Sequence, residues 1–403
     1  MTDSHPNGPF VGRPVIAALA IVALMLAAAN LRGGLVVVGP LVMQIRDSLN
    51  INASAFSLLT TLPLLCFGVV SICVPWLTRR WAPQWLTIGG LMLISAGVGF
   101  RLLDNFPLVI LGTLLLGSAI AVLNVLIPGL VKAFFPDNVG IMTGLYSVTL
   151  SLGAGLGVYL AVPLFEQFNS WRYPVALWAI FPLICVLFWL PMIRVKGVGR
   201  PANPQRVSLW RDKIAWSITF YMGLQSFYFY SMATWLPKIL IENGLDAHQA
   251  GTATALINLV SIPFNLFIPI MAAKMRQQHK LVAFTFVVSF AGIAGIYLAP
   301  QLAPMLWASF IGMGCGCALS LALSFFVLRA RNTAQATALS AMAQSIGYLL
   351  AALGPFSLGL LRDLAGHWQW ALLLMLCLQL VQLAAGWSAA RDKAVLPDQQ
   401  RQA

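Results

Sequence analysis

Charge is what this chain has least of. Only 9% of its 403 residues are Asp, Glu, Lys or Arg, against roughly 25% in an ordinary soluble domain, while 60% are hydrophobic. A soluble fold of this length has no core large enough for so much apolar surface, so the solvent for most of the chain must be lipid. Long polar stretches are missing as well. The longest, 194–213, has the length of a linker, which excludes a separate soluble domain within the sequence. Acids are scarcest of all. The eleven (Asp3, Asp47, Asp104, Asp137, Glu166, Asp212, Glu242, Asp246, Asp363, Asp392, Asp398) fall in loops or at the ends of apolar runs, and the four histidines (His5, His248, His279, His367) do the same. Without them an intramembrane metal cluster or nucleophile–base pair cannot be built, so an embedded enzyme is excluded and no metal or cofactor is expected.

The six cysteines (Cys66, Cys73, Cys185, Cys315, Cys317, Cys377) all lie inside apolar runs, where cysteine acts as a small hydrophobe. Cys315-Gly316-Cys317 has neither the spacing nor the partner ligands of a zinc site. The net charge of +13 invites a nucleic-acid reading. Its placement rejects that reading, because the basic residues sit in short loops and form no basic face or domain.

What the chain does have is long apolar runs. A spanning helix needs about 20 mostly apolar residues, and the qualifying runs are 14–38, 53–77, 85–103, 107–131, 139–162, 173–193, 214–237, 249–272, 281–299, 303–328, 335–361 and 368–390. Twelve spans are therefore expected in an all-α membrane protein. Ala27-Ala28-Ala29 resembles a signal-peptide cleavage site, but the run continues past it. Placing both termini in the cytoplasm puts eighteen of the 24 Lys and Arg residues in cytoplasmic segments, five in outer loops, and one, Arg32, inside the membrane. The positive-inside rule then fixes the orientation and predicts a multi-pass protein of the bacterial inner membrane.

The two halves repeat. A shift of 194 residues places Thr143 on Thr337, Ser151 on Ser345, Gly153 on Gly347 and Pro75 on Pro269. A shift of 197 places Gly117 on Gly314, Ala121 on Ala318, Lys132 on Arg329 and Pro40 on Pro237. The organisation expected is an N-terminal six-helix bundle over 1–193, a basic cytoplasmic linker over 194–213, and a C-terminal six-helix bundle over 214–403. Parallel repeats of this kind are the plan of transporters that hold substrate near the bilayer midplane.

Several stretches, in order, carry a family resemblance. They are Asn30-Leu31-Arg32-Gly33-Gly34 in the first run, Leu58-Leu59-Thr60-Thr61-Leu62-Pro63 in the second, and Asn124 to Lys132 in the fourth. Trp235-Leu236-Pro237 in the seventh and Leu339 to Tyr348 in the eleventh complete the set. Together they resemble the cyanate porter family of the major facilitator superfamily, closer to its 2-nitroimidazole transporter branch than to the cyanate transporter. The resemblance covers 13–393. It implies two pseudo-symmetric six-helix bundles, a monomer, alternating access, and an arginine of the family at the position of Arg32. One departure stands out: Thr78 occupies the place of the aspartate in the superfamily's loop motif between the second and third helices, which puts the charge relay of that motif in doubt.

Arg32 is the sharpest single feature. An ionisable side chain within a span costs about 2.5–3.5 kcal/mol on insertion scales and marks a functional candidate. Guanidinium binds a planar anion through two hydrogen bonds and keeps its charge. The alternative is snorkelling, since the outer end of the run is about 10 Å of helix away. Polar and aromatic groups recur at helical spacing elsewhere: Tyr221, Gln225, Tyr228 and Trp235; Asn258, Ser261 and Asn265; Ser340, Gln344 and Tyr348; with Asn124 in the fourth run and Tyr146 in the fifth. Each serves equally as a binding group in a wet cavity or as a helix–helix hydrogen bond.

The expected function is secondary transport of a small planar solute, anionic or strongly polarised, cyanate- or 2-nitroimidazole-like by the resemblance. The substrate-binding candidates are Arg32, Asn124, Tyr146, Gln225, Tyr228, Asn258, Gln344 and Tyr348. The partners are the small-molecule substrate and the bilayer, with no nucleic acid. No intramembrane carboxylate is available to couple protons. The alternatives are a proton-driven drug exporter of the same fold, which would call for an acid in the first or fourth helix, and an anion channel.

Overall fold

The computed structural model describes residue 10 and residues 13–195 and 207–396. Among these, every regular element is helical. The first half contains α1 (Pro14–Asn30), α2 (Gly33–Val36), α3 (Val42–Leu49), α4 (Ala53–Ser71), α5 (Val74–Arg80), α6 (Pro83–Arg101), α7 (Phe106–Phe134), α8 (Val139–Tyr159), α9 (Ala161–Phe168) and α10 (Arg172–Trp189). The second contains α11 (Lys213–Glu242), α12 (Ala247–Lys274), α13 (His279–Leu298), α14 (Pro304–Leu328), α15 (Thr333–Ala365) and α16 (Gln369–Ala389). Several starts are written in the sequence as Asx caps. Asn52, Asn105, Asp212 and Asp246 each accept a hydrogen bond from the backbone N–H three residues on, at 2.8–3.2 Å, satisfying a donor that the helix leaves orphaned.

Ten helical spans are long and apolar enough to cross a bilayer, and the pair α4–α5, bent by 55°, makes an eleventh. The twelfth expected span is α11. It has 30 residues, about 45 Å of helix, and is too polar to stand among the others by hydropathy. Its Thr219, Gln225, Ser226 and Ser231 are all buried, so several of the groups that lower its hydropathy are turned into protein. The first run is not one helix either: it breaks between α1 and α2.

Two compact units emerge. One comprises the chain up to Val207 together with Asn332–Ala341 at the start of α15, and the other Ser208–Arg331 with Met342 onward. In the first unit, α6 crosses α7 at glycines, and a Cβ at Gly97 would lie 2.7 Å from the Gly112 carbonyl oxygen. Helix α8 lies on α1 with Gly153 against Ala29, and on α2 with Gly157 against Gly33. In the second unit α14 packs on α12, a Cβ at Gly312 falling 2.6 Å from the Ile257 carbonyl and one at Gly316 2.6 Å from that of Ser261. Close backbone approach through small residues is how helices associate where lipid leaves little hydrophobic drive. The internal repeat shows directly in one such contact. Ala29 meets Gly153 in the first unit, and Gly223 meets Gly347 in the second; both members are displaced by the same 194 residues.

Candidate functional site

The first span breaks just after Asn30. Leu31 still caps α1, its N–H bonded to the Ala28 carbonyl at 3.1 Å. Arg32 leaves the helical region (φ −128°, ψ −33°) and becomes the N-cap of α2, its carbonyl accepting from the N–H groups of Leu35 and Val36, both at 3.0 Å. Gly33 and Gly34 then bring bare backbone against neighbours. The Trp178 ring fills the place a Gly33 side chain would take, and a Cβ on Gly34 would meet Trp178 and Val98 at 3.4 Å. Asn30 closes the N-terminal side of the break, donating through Nδ2 to the Leu26 carbonyl at 2.8 Å and to Cys185 Sγ at 3.0 Å, while its Oδ1 is buried without a partner among the described residues.

Arg32 is thus not the mid-helix residue that an unbroken run predicts. It is half-buried at a discontinuity, where the backbone leaves the helical register. Breaks in spanning helices at protein-lined positions are characteristic of solute and ion sites.

The other candidates divide between the units. Asn124 on α7 and Tyr146 on α8 belong with Arg32 to the first, on helices that pack against α1. Both are buried, and all three engage neighbours. In the second unit Gln225 is buried and donates through Nε2 to Ser226 Oγ at 2.6 Å. Tyr228 donates to the Ser289 carbonyl of α13 at 3.5 Å within an apolar cluster, the arrangement of a helix–helix hydrogen bond. Asn258 is exposed, unlike Asn265 seven residues on, which is 1% exposed. Gln344 and Tyr348 on α15 are buried and engaged. Trp235, near the end of the seventh run, donates to the Pro355 carbonyl at 2.8 Å, and α11 continues through Pro237 to Glu242.

The described acids stay at the periphery. Asp104 pairs with Arg172. Glu242, the last residue of α11, receives Arg362 at 3.3 Å and the Trp368 indole at 2.8 Å, Asp392 meets Arg276 at 3.6 Å, and Asp212 and Asp246 are caps. Thr78, in the place of the motif aspartate, donates to the Pro75 carbonyl of its own turn at 3.0 Å. Of the cysteines, Cys66, Cys185, Cys315 and Cys317 are buried free thiols, and Cys73 and Cys377 are exposed.

Sequence reasoning missed one residue. Arg101 ends the third run and looks like an outer-loop cation, yet it is 1% exposed and donates through Nη1 to the Gly34 carbonyl at 2.8 Å. The signal was present: Gly90, Ile94, Gly97 and Arg101 share one helical face by their spacing of four, three and four residues, and all are buried.

Comparison with known proteins places this geometry in context. Residues 17–355 match the sequence model of the Major Facilitator Superfamily. The chain is 35% identical over 378 residues to the 2-nitroimidazole transporter of Escherichia coli strain K12, covering 93% of this chain and 96% of that protein. It is 29% identical over 355 residues to the cyanate transport protein CynX of the same organism, covering 87% and 92%. Among solved structures, the proton:xylose symporter XylE aligns with a TM-score of 0.75 over 95% of this chain and 98% of that one. At 12% identity that likeness speaks for the fold alone.

Proposed function

Because the chain belongs to the major facilitator superfamily and is a multi-pass membrane transporter of small molecules, we propose that its solute is small, planar and either anionic or strongly polarised. The observation that carries this reading is Arg32. A guanidinium set at the break of an otherwise uncharged span offers a fixed positive charge with two parallel donors, which matches a carboxylate-like, cyanate-like or nitro group better than a sugar or a cation. The relatives named for 2-nitroimidazole and cyanate support the same class. Asn124 and Tyr146, with Gln225, Asn258, Gln344 and Tyr348, supply the neutral donors and acceptors, and transport proceeds by alternating access in the inner membrane with both termini in the cytoplasm. Tyr228 is the weakest of the candidates, its hydroxyl being spent on α13.

The peripheral placement of the described acids supports transport without a proton-coupling carboxylate in a span. A proton gradient that drives accumulation of a non-ionisable solute in proteoliposomes would overturn that part.

The direct test is a thermal-shift screen of purified protein against cyanate, nitrate, 2-nitroimidazole, imidazole and benzoate, beside Arg32→Gln. A ligand that binds the native state stabilises it by about 2.7 kcal/mol at a hundred times its Kd. The expected result is a shift with a planar solute that disappears in Arg32→Gln. A ligand that shifts both proteins equally would remove Arg32 from the site.

A further inference from the structure

The break in the first span is held from one side by Arg101. Because α2 ends after four residues, the Gly34 carbonyl is released from the helical ladder, and the donor it receives is Arg101 Nη1 at 2.8 Å. Arg101 reaches it from the last turn of α6, whose own position is fixed by the Gly97–Gly112 crossing with α7. Around the same two glycines stand the Trp178 ring of α10, Val98 of α6, Leu116 of α7 and Gly157 of α8. The bare backbone of residues 33 and 34 is therefore socketed on several sides, and a charged group, this guanidinium, reaches into the socket.

Burial of Arg101 is almost complete, and its Nε and Nη2 have no partner. The nearest acid along the chain, Asp104, is taken by Arg172. A guanidinium kept buried with one hydrogen bond is a costly way to fill space. What that bond secures is the segment that begins at Arg32, two residues before Gly34.

We infer that Arg101 is a positioning residue for Arg32: by holding the Gly34 carbonyl it fixes the break at which the Arg32 side chain leaves the first span. The inference deepens the reading of Arg32 as the solute-binding cation and rests on it for its functional meaning.

The test reads the placement of Arg32 without requiring a ligand. Full-length purified protein is treated with phenylglyoxal, and modification of Arg32 is followed by peptide mass spectrometry against Arg276, whose side chain is 93% exposed. In Arg101→Met the rate at Arg32 relative to Arg276 rises about fivefold, the equivalent of one ordinary hydrogen bond lost, and Arg101→Lys, which keeps a donor, brings it back to within about twofold of the unaltered protein. An unchanged Arg32-to-Arg276 ratio in Arg101→Met overturns the inference, and so does a rise shared by all the arginines. If Arg101→Met does not accumulate in the membrane, Arg101→Gln, which retains an amide donor but no charge, is compared with Arg101→Leu in cells by the same ratio. A higher ratio in Arg101→Leu is then the expected result, and equal ratios overturn the inference. A separate arm keeps the two readings apart: cyanate and 2-nitroimidazole are added to the unaltered protein. Failure of both to slow modification of Arg32 counts against the solute site, while the Arg101 comparison still decides the positioning.

Discussion

Two glycines two residues apart in α6 give the same substitution opposite signs. A Cβ added at Gly97 would sit 2.7 Å from the Gly112 carbonyl oxygen, 2.7 Å from the Leu116 nitrogen and 3.1 Å from the Leu116 Cα. These are backbone atoms of α7, which cannot swing aside as a flexible side chain does. A Cβ at Gly99 would meet nothing within 4 Å. Alanine gains about 0.5–1 kcal/mol over glycine inside a helix, and overpacking costs about 1–3 kcal/mol. Gly99→Ala therefore stabilises by roughly 0.5–1 kcal/mol, while Gly97→Ala destabilises by roughly 1–2 kcal/mol net. At about 2–4 °C per kcal/mol for a unit of this size, the two variants separate by several degrees. The assay is thermal unfolding in detergent, read by a fluorogenic maleimide that reports exposure of the buried thiols Cys66, Cys185, Cys315 and Cys317. Gly97→Ala melting at or above Gly99→Ala would refute the reasoning, because it would mean that the α6–α7 crossing is loose enough to absorb a methyl group. It would also unsettle Arg101, which hangs from the same helix one turn on.

Two further predictions concern the ends of the second unit. Arg329 is 3% exposed and donates through Nε to the Ala389 carbonyl at 2.9 Å, through Nη2 to the Ala390 carbonyl at 3.0 Å, and to Gln278 Oε1. Arg329→Met leaves the Ala389 carbonyl and Gln278 Oε1 without this donor, the Ala390 carbonyl keeping the Gln278 N–H, and lowers stability by about 1–3 kcal/mol for each acceptor left unpaired; a melt within a degree of the unaltered protein would contradict the network. Glu242 gathers Arg362, Lys238 and the Trp368 indole, but about a third of its side chain remains exposed. Glu242→Ala accordingly costs no more than about 1–2 kcal/mol, less in molar salt, and Glu242→Gln recovers the share carried by Trp368. A salt-independent loss would show that the charge is not what Glu242 contributes.

The spans were legible because lipid leaves the sequence little choice: about 20 apolar residues per crossing, with cations kept to the loops. The repeat was legible for a related reason, since glycines at helix crossings tolerate little else, and Gly153 and Gly347 occupy the same crossing in their units. What stayed hidden has no hydropathy signal. Gly33 and Gly34 sit inside a run as apolar as its neighbours, so the break at Arg32 could not be seen, nor could the bend between α4 and α5. Tyrosines and glutamine made α11 look like a span with binding groups along one side. The structure adds how such groups are engaged, Tyr228 reaching α13 while Gln225 bonds to Ser226 of its own helix. Arg101 was misplaced because charge was weighed by distance from the end of a run rather than by helical face.

The burial of Arg101 bears on solute choice. Among the described spans the buried or half-buried charges near the break, Arg32 and Arg101, are both cations, while of the acids nearest to them in sequence Asp104 pairs with Arg172 and Asp47 is exposed on α3. Screening is weak where water is excluded, so like charges in one region add their fields. Arg101 is buried and without a counter-ion among the described residues, so its charge adds to the positive side of the balance around the break. If Arg32 binds the solute as proposed, such a region disfavours a cationic drug and stabilises an anion or the electron-rich end of a nitro group. The second unit buries a guanidinium too, Arg329 at the end of α14, but it is engaged by the Ala389 and Ala390 carbonyls and Gln278 Oε1, and the buried polar groups along its described spans, among them Gln225, Gln344, Gln379 and Gln382, are neutral. On the proposed reading of Arg32, a change of preferred solute charge is therefore sought first at Arg32 and Arg101, before the neutral groups of α11 or α15.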